Sequence, residues 1–126
     1  MTRNKILIAD DEDSMRDIEE ITLEENFPQF EVESFKDGTS LEDRLKRGVD
    51  DVKLIITDNQ MPGPNGGGLI AKYAGRYSEV KFILCYGGND LLGETAVKMG
   101  AFAYIKKPEM TDYVDIVKKA LNLETK

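Results

Sequence analysis

Residues 53–66 read KLIITDNQMPGPNG, a short apolar run followed by a segment rich in proline and glycine. A run of this length that closes in turn residues is typical of a buried β-strand entering a tight turn. Asp58 would then stand at the carboxyl end of that strand. Ligands of open α/β sheets bind at this edge, so the Asp58 carboxylate is a candidate nucleophile, metal ligand, or both.

Apolar runs of the same kind recur along the chain, and segments of helical periodicity separate them. Predicted strands cover Lys5–Ala9, Glu31–Phe35, Lys53–Thr57, Lys81–Tyr86 and Phe102–Lys106. Predicted helices cover Ser14–Glu25, Ser40–Arg47, Leu69–Tyr77, Leu91–Met99 and Asp112–Leu121. We expect Asp13 or Ser14 to cap the first helix, and glycines 66–68 to form a loop before the third.

This alternation of strands and helices predicts an α/β fold. Five strands joined through helices favour right-handed crossovers and a doubly wound parallel sheet with helices on both faces. The second predicted strand alternates polar and apolar residues, which indicates an edge position. Neither a linker nor a repeat interrupts the pattern, so a single domain over residues 1–126 is expected.

Composition excludes several classes of function. The 126 residues include no histidine and one cysteine, Cys85, which rules out Ser-His-Asp catalysis and a multi-cysteine zinc site. We interpret Cys85 as a small buried apolar residue. The net charge of −7 argues against nucleic-acid binding. No apolar stretch resembles a signal peptide or a membrane span, so no membrane association and a cytoplasmic location are expected.

Charged residues follow three of the predicted strands. Asp10 and Asp11 follow the first strand, Asp58 the third, and Lys107 the fifth. Singly, these are ordinary capping, turn and surface residues. Parallel strands bring them to one edge, where carboxylates about 5 Å apart repel by roughly 3 kcal/mol per pair. Such a cluster takes up protons or binds a cation, and its oxygen ligands favour Mg²⁺. Metal and lysine beside a carboxylate suit phosphoryl transfer.

With these residues in place, the chain resembles the receiver domain of response regulators, the phosphoacceptor module of two-component signalling. The likeness rests on the acidic pair, on Asp58 with Met61-Pro62 and Asn65-Gly66, on Gly100-Ala101 and on Lys107-Pro108. It covers about residues 4–123 and implies a stand-alone domain. It also implies a flavodoxin-like (βα)5 fold with the strand order 2-1-3-4-5.

The resemblance further implies a role for each matching residue. Asp58 would be the phosphoacceptor, and Lys107 would pair with its carboxylate and then with the bound phosphoryl group. Mg²⁺ would be held by Asp11 directly, by Asp10 mainly through water, and by Asp58 and the backbone carbonyl of Gln60. Tyr104 would be the aromatic residue whose burial follows activation. The domain would catalyse only its own phosphorylation and dephosphorylation.

One position departs from the family pattern. Receiver domains usually carry Thr or Ser at the end of the fourth strand, but this chain reads FILCYGG over residues 82–88. Counting back from Gly100 puts Cys85 at that position, whereas matching Gly87 to the small residue that usually follows puts Tyr86 there. We favour Tyr86, whose ring would crowd the phosphoryl pocket.

Two functions therefore remain open at the level of sequence. In the first, a histidine kinase or histidine phosphotransfer protein phosphorylates Asp58, and a downstream protein reads the change on the surface of the fourth helix, fifth strand and fifth helix. Family members also pair through this surface, so a homodimer is a further expectation. In the second, the domain is a degenerate receiver that binds proteins independently of phosphorylation. A flavin or nucleotide binder is disfavoured, because acids after the first strand would repel phosphate.

Overall fold

A computed structural model describes residues 3–88, 90–107 and 111–123, and Pro108 of the sequence match lies outside them. Within these ranges, strands and helices alternate as expected. The strands are β1 (Lys5–Ala9), β2 (Glu31–Phe35), β3 (Val52–Asp58), β4 (Lys81–Tyr86) and β5 (Ala103–Lys106). The helices are α1 (Asp13–Asn26), α2 (Gly38–Lys46), α3 (Gly66–Tyr73), α4 (Asp90–Lys98) and α5 (Tyr113–Ala120).

The strands form one sheet in the order β2-β1-β3-β4-β5, and every described pairing is parallel. The α/β fold and the strand order are therefore confirmed. The chain order reverses direction between β1 and β3, where crevices of open α/β sheets form. Because the strands are parallel, the residues that end β1, β3, β4 and β5 all lie along one edge.

Apolar side chains cover both faces of the sheet, since successive residues of a strand point to opposite sides. One face packs Ile8, Ile56, Ile83 and Ile105 against α1 and α5. The other packs Leu7, Ile55 and Leu84 against α2, α3 and α4. The alternation continues past these residues, which fixes the face on which each residue at the strand ends lies.

The start of α3 differs from the prediction. The helix begins at Gly66 rather than Leu69, so glycines 66–68 form its first turn and not a loop. Asn65 caps it, because its Oδ1 accepts a hydrogen bond from the backbone nitrogen of Gly68 at 2.7 Å. Gly66 packs so closely on the backbone oxygen of Asp58 that no Cβ would fit there. This approach joins the start of α3 to the end of β3.

The start of α1 also differs from the prediction. Neither Asp13 nor Ser14 caps the helix: Glu12 is its N-cap residue, and no side chain makes the capping hydrogen bond. Asp10 instead accepts a bond from the backbone nitrogen of Glu12, with 2.9 Å between Oδ1 and N. This bond orients the Asp10 carboxylate at the end of β1. At the other end of the domain, Gly100 follows α4 with φ +118°, as expected for a helix stop.

Candidate acceptor site

Three carboxylates meet at the carboxyl edge of the sheet. Asp58 is the last residue of β3, and Asp10 and Asp11 directly follow β1. One oxygen from each lies within 4.8 Å of the others. Asp10 is fully buried and Asp58 is 8% exposed, whereas Asp11 is open to solvent. We call Asp10, Asp11 and Asp58 the acidic pocket.

Lys107 enters the acidic pocket from the end of β5. Its Nζ lies 2.8 Å from Oδ2 of Asp10 and 3.5 Å from Oδ2 of Asp58. Glu12 is a further partner, with 3.7 Å between Oε1 and the same nitrogen. The backbone of Lys107 is fixed as well, because its nitrogen donates a hydrogen bond to the carbonyl of Tyr86 at 2.6 Å. One ammonium group thus bridges two of the three acids.

Burial and like charge govern the ionisation of the pocket. Burial raises the pKa of Asp58 to about 6; the Lys107 ammonium opposes this rise and Asp10 adds to it. For Lys107, burial alone would lower the pKa, but the bond to Asp10 and the charge of Asp58 hold it above its usual range. Near neutral pH, Asp58 is therefore largely ionised next to a firmly protonated lysine, in surroundings that disfavour unbalanced negative charge.

A cavity of about 380 Å³ opens above the acidic pocket. Its lining includes Asp11, Asp58, Gln60, Tyr86, Leu92 and Lys107. Gln60, predicted as a ligand through its backbone carbonyl, thus borders the same space as the carboxylates. Asp58 is part of this lining, so a phosphate-sized group that enters the cavity can reach its carboxylate.

The two candidate residues at the end of β4 lie on opposite faces of the sheet. Cys85 pairs with Asp58 in register and shares its face, and it is buried in the same apolar cluster as Ile83. Burial raises the pKa of the Cys85 thiol, so the group stays protonated. Tyr86 faces the other way and lines the cavity. Of these two residues, Tyr86 borders the cavity above Asp58, whereas Cys85 lies in the apolar core.

Tyr104 lies on the face of β5 that α4 covers. Its ring centroid is 5.7 Å from that of Tyr86, with the planes tilted by 54°. The other side of the Tyr104 ring rests on Gly93 of α4, where no Cβ would fit. Aromatic contacts therefore run from the cavity wall through Tyr104 to α4.

Two functional candidates were missed by sequence reasoning. Glu19 of α1 and Tyr113 of α5 are both buried, and the Tyr113 hydroxyl donates a hydrogen bond to Oε1 of Glu19 at 2.9 Å. A signal was available: Glu19 lies four residues after Met15 and four before Leu23, on the apolar stripe of the helix. A charged residue on that stripe is a candidate buried acid.

Known proteins share both the sequence pattern and the fold of this chain. The family model described as "Response regulator receiver domain" matches residues 6–119. The transcriptional regulator NtrC of Azospirillum brasilense is 33% identical over 99% of this chain and 26% of that protein. PilR of Pseudomonas aeruginosa is 32% identical over 98% of this chain and 27% of that protein. This chain therefore spans about a quarter of the length of these relatives.

Among solved structures, a response regulator receiver domain protein from Clostridium thermocellum superposes with a TM-score of 0.84. The two sequences are 26% identical, and the match covers 94% of each chain. The likeness thus extends over nearly the whole of both chains, in sequence and in fold.

Proposed function

This chain belongs to the response regulator receiver domain family, and from that premise we propose that Asp58 accepts a phosphoryl group from a partner's phosphohistidine with the help of Mg²⁺. The observation that carries this proposal is the Lys107 ammonium, which lies 2.8 Å from Asp10 and 3.5 Å from Asp58 beside three clustered carboxylates. Burying these carboxylates side by side lowers the stability of the fold, and the packing of the sheet does not require charged residues at these positions.

The donor set fits Mg²⁺. Asp10, Asp11 and Asp58 offer hard oxygen ligands within 4.8 Å of one another, and the pocket borders open space where water ligands can remain. The Gln60 carbonyl would complete the protein ligands. When bound, the ion would supply positive charge to the phosphoryl oxygens, which is the main requirement of phosphoryl transfer.

The chain's own residues have separable tasks. An oxygen of the Asp58 carboxylate attacks the phosphorus of the donor; an O–P bond forms, the N–P bond breaks, and the released imidazole keeps the bonding electron pair and takes up a proton. Lys107 holds Asp58 in position beforehand and afterwards offers its ammonium to the phosphoryl oxygens.

The change at Asp58 would reach the surface through the aromatic residues. At the position where receiver domains usually carry Thr or Ser, Tyr86 would bring a phenol in place of a small hydroxyl group. Tyr86 borders the cavity and contacts Tyr104, which in turn rests on α4. We therefore assign the response to the Tyr86–Tyr104 pair, and the readout to the surface of α4, β5 and α5.

The partners proposed are proteins. The chain has no histidine, so a phosphohistidine donor would have to belong to a partner, either a histidine kinase or a histidine phosphotransfer protein. A downstream protein, or a second copy of this chain, would dock on the α4–β5–α5 surface, where Val97, Met99 and Phe102 are exposed. The charge of −7 disfavours direct contact of this domain with nucleic acid. A cytoplasmic site of action is part of the proposal, and none of the described helices is long and apolar enough to cross a membrane.

A second candidate function is a binding module that does not depend on phosphorylation. The observation in its favour is the end of β4, where a buried thiol and a phenol ring replace the small hydroxyl residue. In that case the acidic pocket would persist without accepting a phosphoryl group. The intact Asp58–Lys107 contact weighs against this alternative.

Acetyl phosphate provides the discriminating experiment. Incubation with acetyl phosphate and Mg²⁺ should add one phosphoryl group by intact mass, and chelation of Mg²⁺ or the Asp58→Asn variant should abolish the gain. The matched control is Asp43→Asn, an exposed acid on α2 that should be modified normally. No gain in the native protein, together with no binding of beryllofluoride, would contradict the phosphoacceptor role and favour the binding module.

A further inference from the structure

An acid and a phenol meet inside the apolar core that lies between the sheet and helices α1 and α5. Glu19 is 3% exposed and Tyr113 is fully buried, and their hydrogen bond is 2.9 Å long. The apolar side chains around Tyr113 include Ile8, Ile56 and Val117. A pair of apolar side chains of similar size would avoid the desolvation of a carboxyl group, so packing alone gives no reason for an acid at this point.

The pair lies on the same side of the sheet as the acidic pocket. Asp10 and Asp58 follow Ile8 and Ile56 by two residues in their strands, so they share the face that α1 and α5 cover. The charged and titratable groups that act electrostatically on Glu19 or respond to it are Asp10 after β1, Asp58 from β3, Cys85 from β4, Lys107 after β5 and Tyr113 from α5.

The charge of the pocket acts on Glu19. Burial raises the pKa of Glu19 to about 8; the Tyr113 bond and Lys107 oppose the rise, while Asp10 and Asp58 add to it. Burial also raises the pKa of Tyr113 well above its usual range, so the phenol keeps its proton and remains the donor. Asp10 and Asp58 also raise the pKa of Cys85, but that thiol is held far above its usual range, so Glu19 is the member of this core that titrates near pH 8.

We propose that Glu19 and Tyr113 form an internal link through which a divalent cation in the acidic pocket stabilises α5. The inference rests on the proposed function, in that it takes a divalent cation as the ligand of the pocket. The positive charge of a cation in the acidic pocket would offset the negative charge of Asp10 and Asp58, which disfavours ionisation of Glu19. The Glu19 carboxyl group then releases its proton to solvent, and its carboxylate accepts a stronger, charge-assisted bond from the Tyr113 hydroxyl. Tyr113 is the first residue of α5, so the start of that helix is held more firmly.

Proton release on addition of Mg²⁺ alone tests the first half of this link. At pH 8 about half of Glu19 is protonated, whereas Asp58, with its lower pKa, is almost wholly ionised. Calorimetric titration in two buffers of different ionisation enthalpy should detect up to about half a proton released per ion. Glu19→Gln should abolish most of this release. Glu24→Gln, an exposed acid on the same helix with the same change of charge, should retain it.

Hydrogen exchange of the α5 amides tests the second half. Mg²⁺ should slow exchange at the start of α5 by about five-fold, the effect of strengthening one buried hydrogen bond. Tyr113→Phe should still release protons, although at a higher pH because the hydrogen bond that lowers the pKa of Glu19 is gone, and it should lose the slowing. Glu19→Gln should lose both responses. The link is overturned if Glu19→Gln keeps the native proton release, if Tyr113→Phe keeps the slowing, or if the native protein shows neither response.

These measurements use no phosphoryl donor, so they are independent of the acceptor role of Asp58. Proton release that depends on Glu19, in a protein that never gains a phosphoryl group, would support the link and contradict the proposed function. Mg²⁺-dependent phosphorylation without any proton release from Glu19 would support the proposed function and contradict the link. The Tyr113→Phe variant keeps the test decisive if Glu19→Gln fails to fold, because it removes one hydroxyl group and leaves the acid in place.

Discussion

At the scale of single residues, Asp58 is costly to the folded protein. Its pKa is raised from 3.8 to about 6, chiefly by burial, so the folded state disfavours the ionised form that the unfolded chain adopts freely. An acid whose pKa is higher in the folded protein than in the unfolded chain lowers the free energy of unfolding once it ionises. This loss of stability is absent below the unfolded pKa, grows as the pH rises towards the folded pKa, and is constant above it. For Asp58 that window runs from about pH 4 to about pH 6.

Asp58→Asn should therefore stabilise the protein at neutral pH in the absence of metal. We expect the free energy of unfolding to rise by about 2 kcal/mol at pH 7.5, and the gain to fall towards zero by pH 4. Lys107 keeps its partner Asp10 in the variant, so no ammonium is left unpaired. Urea unfolding at several pH values measures the gain. Asp43→Asn on the exposed side of α2 serves as the control, and its free energy of unfolding should differ little from that of the native protein. If Asp58→Asn is less stable than the native protein at pH 7.5, the ionised Asp58 does not destabilise the fold.

Sequence reasoning reached part of the site and missed part of it. Asp10, Asp11, Asp58 and Lys107 could be predicted to converge, because residues just past parallel strands must share one edge. The sequence left Cys85 and Tyr86 as alternatives, with Tyr86 favoured, because counting along the chain gave two alignments. The faces on which the two side chains lie follow only from the pairing of Asp58 with Cys85 in the sheet. Glu19 was overlooked because charged residues on helices are usually solvated, and its partner is 94 residues away in the chain.

At the scale of secondary-structure elements, the apolar runs predicted the strands well, whereas glycines 66–68 were misleading. All five strands were found within one residue at each end, since buried strands need continuous apolar sequence. The start of α3 was missed because glycine has poor helix propensity, whereas the structure uses Gly66 to bring the helix against the backbone of Asp58. A tertiary contact thus overrides local preference there.

Gly93, within α4, is a second glycine whose place depends on a tertiary contact. In an ordinary helix, Gly→Ala adds up to about 1 kcal/mol of stability, but at this position the new methyl group would overlap the ring of Tyr104. Gly93→Ala should therefore destabilise the protein by about 1–3 kcal/mol and displace α4 from β5. Thermal unfolding and the chemical shifts of Tyr104 would report both effects.

A double-mutant cycle provides the control for Gly93. In the Tyr104→Ala background the ring is absent, so Gly93→Ala should become neutral or stabilising. Gly75→Ala adds a methyl group where no atom lies within 4 Å, and it should cost little in either background. If Gly93→Ala destabilises the protein equally with and without the Tyr104 ring, the contact between that ring and α4 does not explain the effect.

At the scale of the whole molecule, the two sides of the sheet carry different parts of the site. The face under α1 and α5 bears Asp10, Asp58, Lys107, Cys85 and the Glu19–Tyr113 pair. The face under α4 bears Tyr86 and Tyr104. Under the two proposals made above, a charge change at Asp58 would act outward by two routes, one electrostatic towards α5 and one steric towards α4, and both would end on the proposed docking surface.

Because the acidic pocket exists only in the folded chain, a cation that binds it must raise the stability of the whole domain. Mg²⁺ at one hundred times its dissociation constant should add about 2.7 kcal/mol to the free energy of unfolding, and a chelator should remove that gain.

Asp11→Asn should lose most of the Mg²⁺ effect while keeping the native free energy of unfolding without metal, because Asp11 is exposed and its loss leaves the Lys107 bridge intact. Asp13→Asn, also exposed but absent from the carboxylate cluster, should respond to Mg²⁺ as the native protein does. Urea unfolding with and without Mg²⁺ distinguishes the outcomes: equal stabilisation of the Asp11→Asn variant and the native protein would mean that the ion binds somewhere other than this pocket.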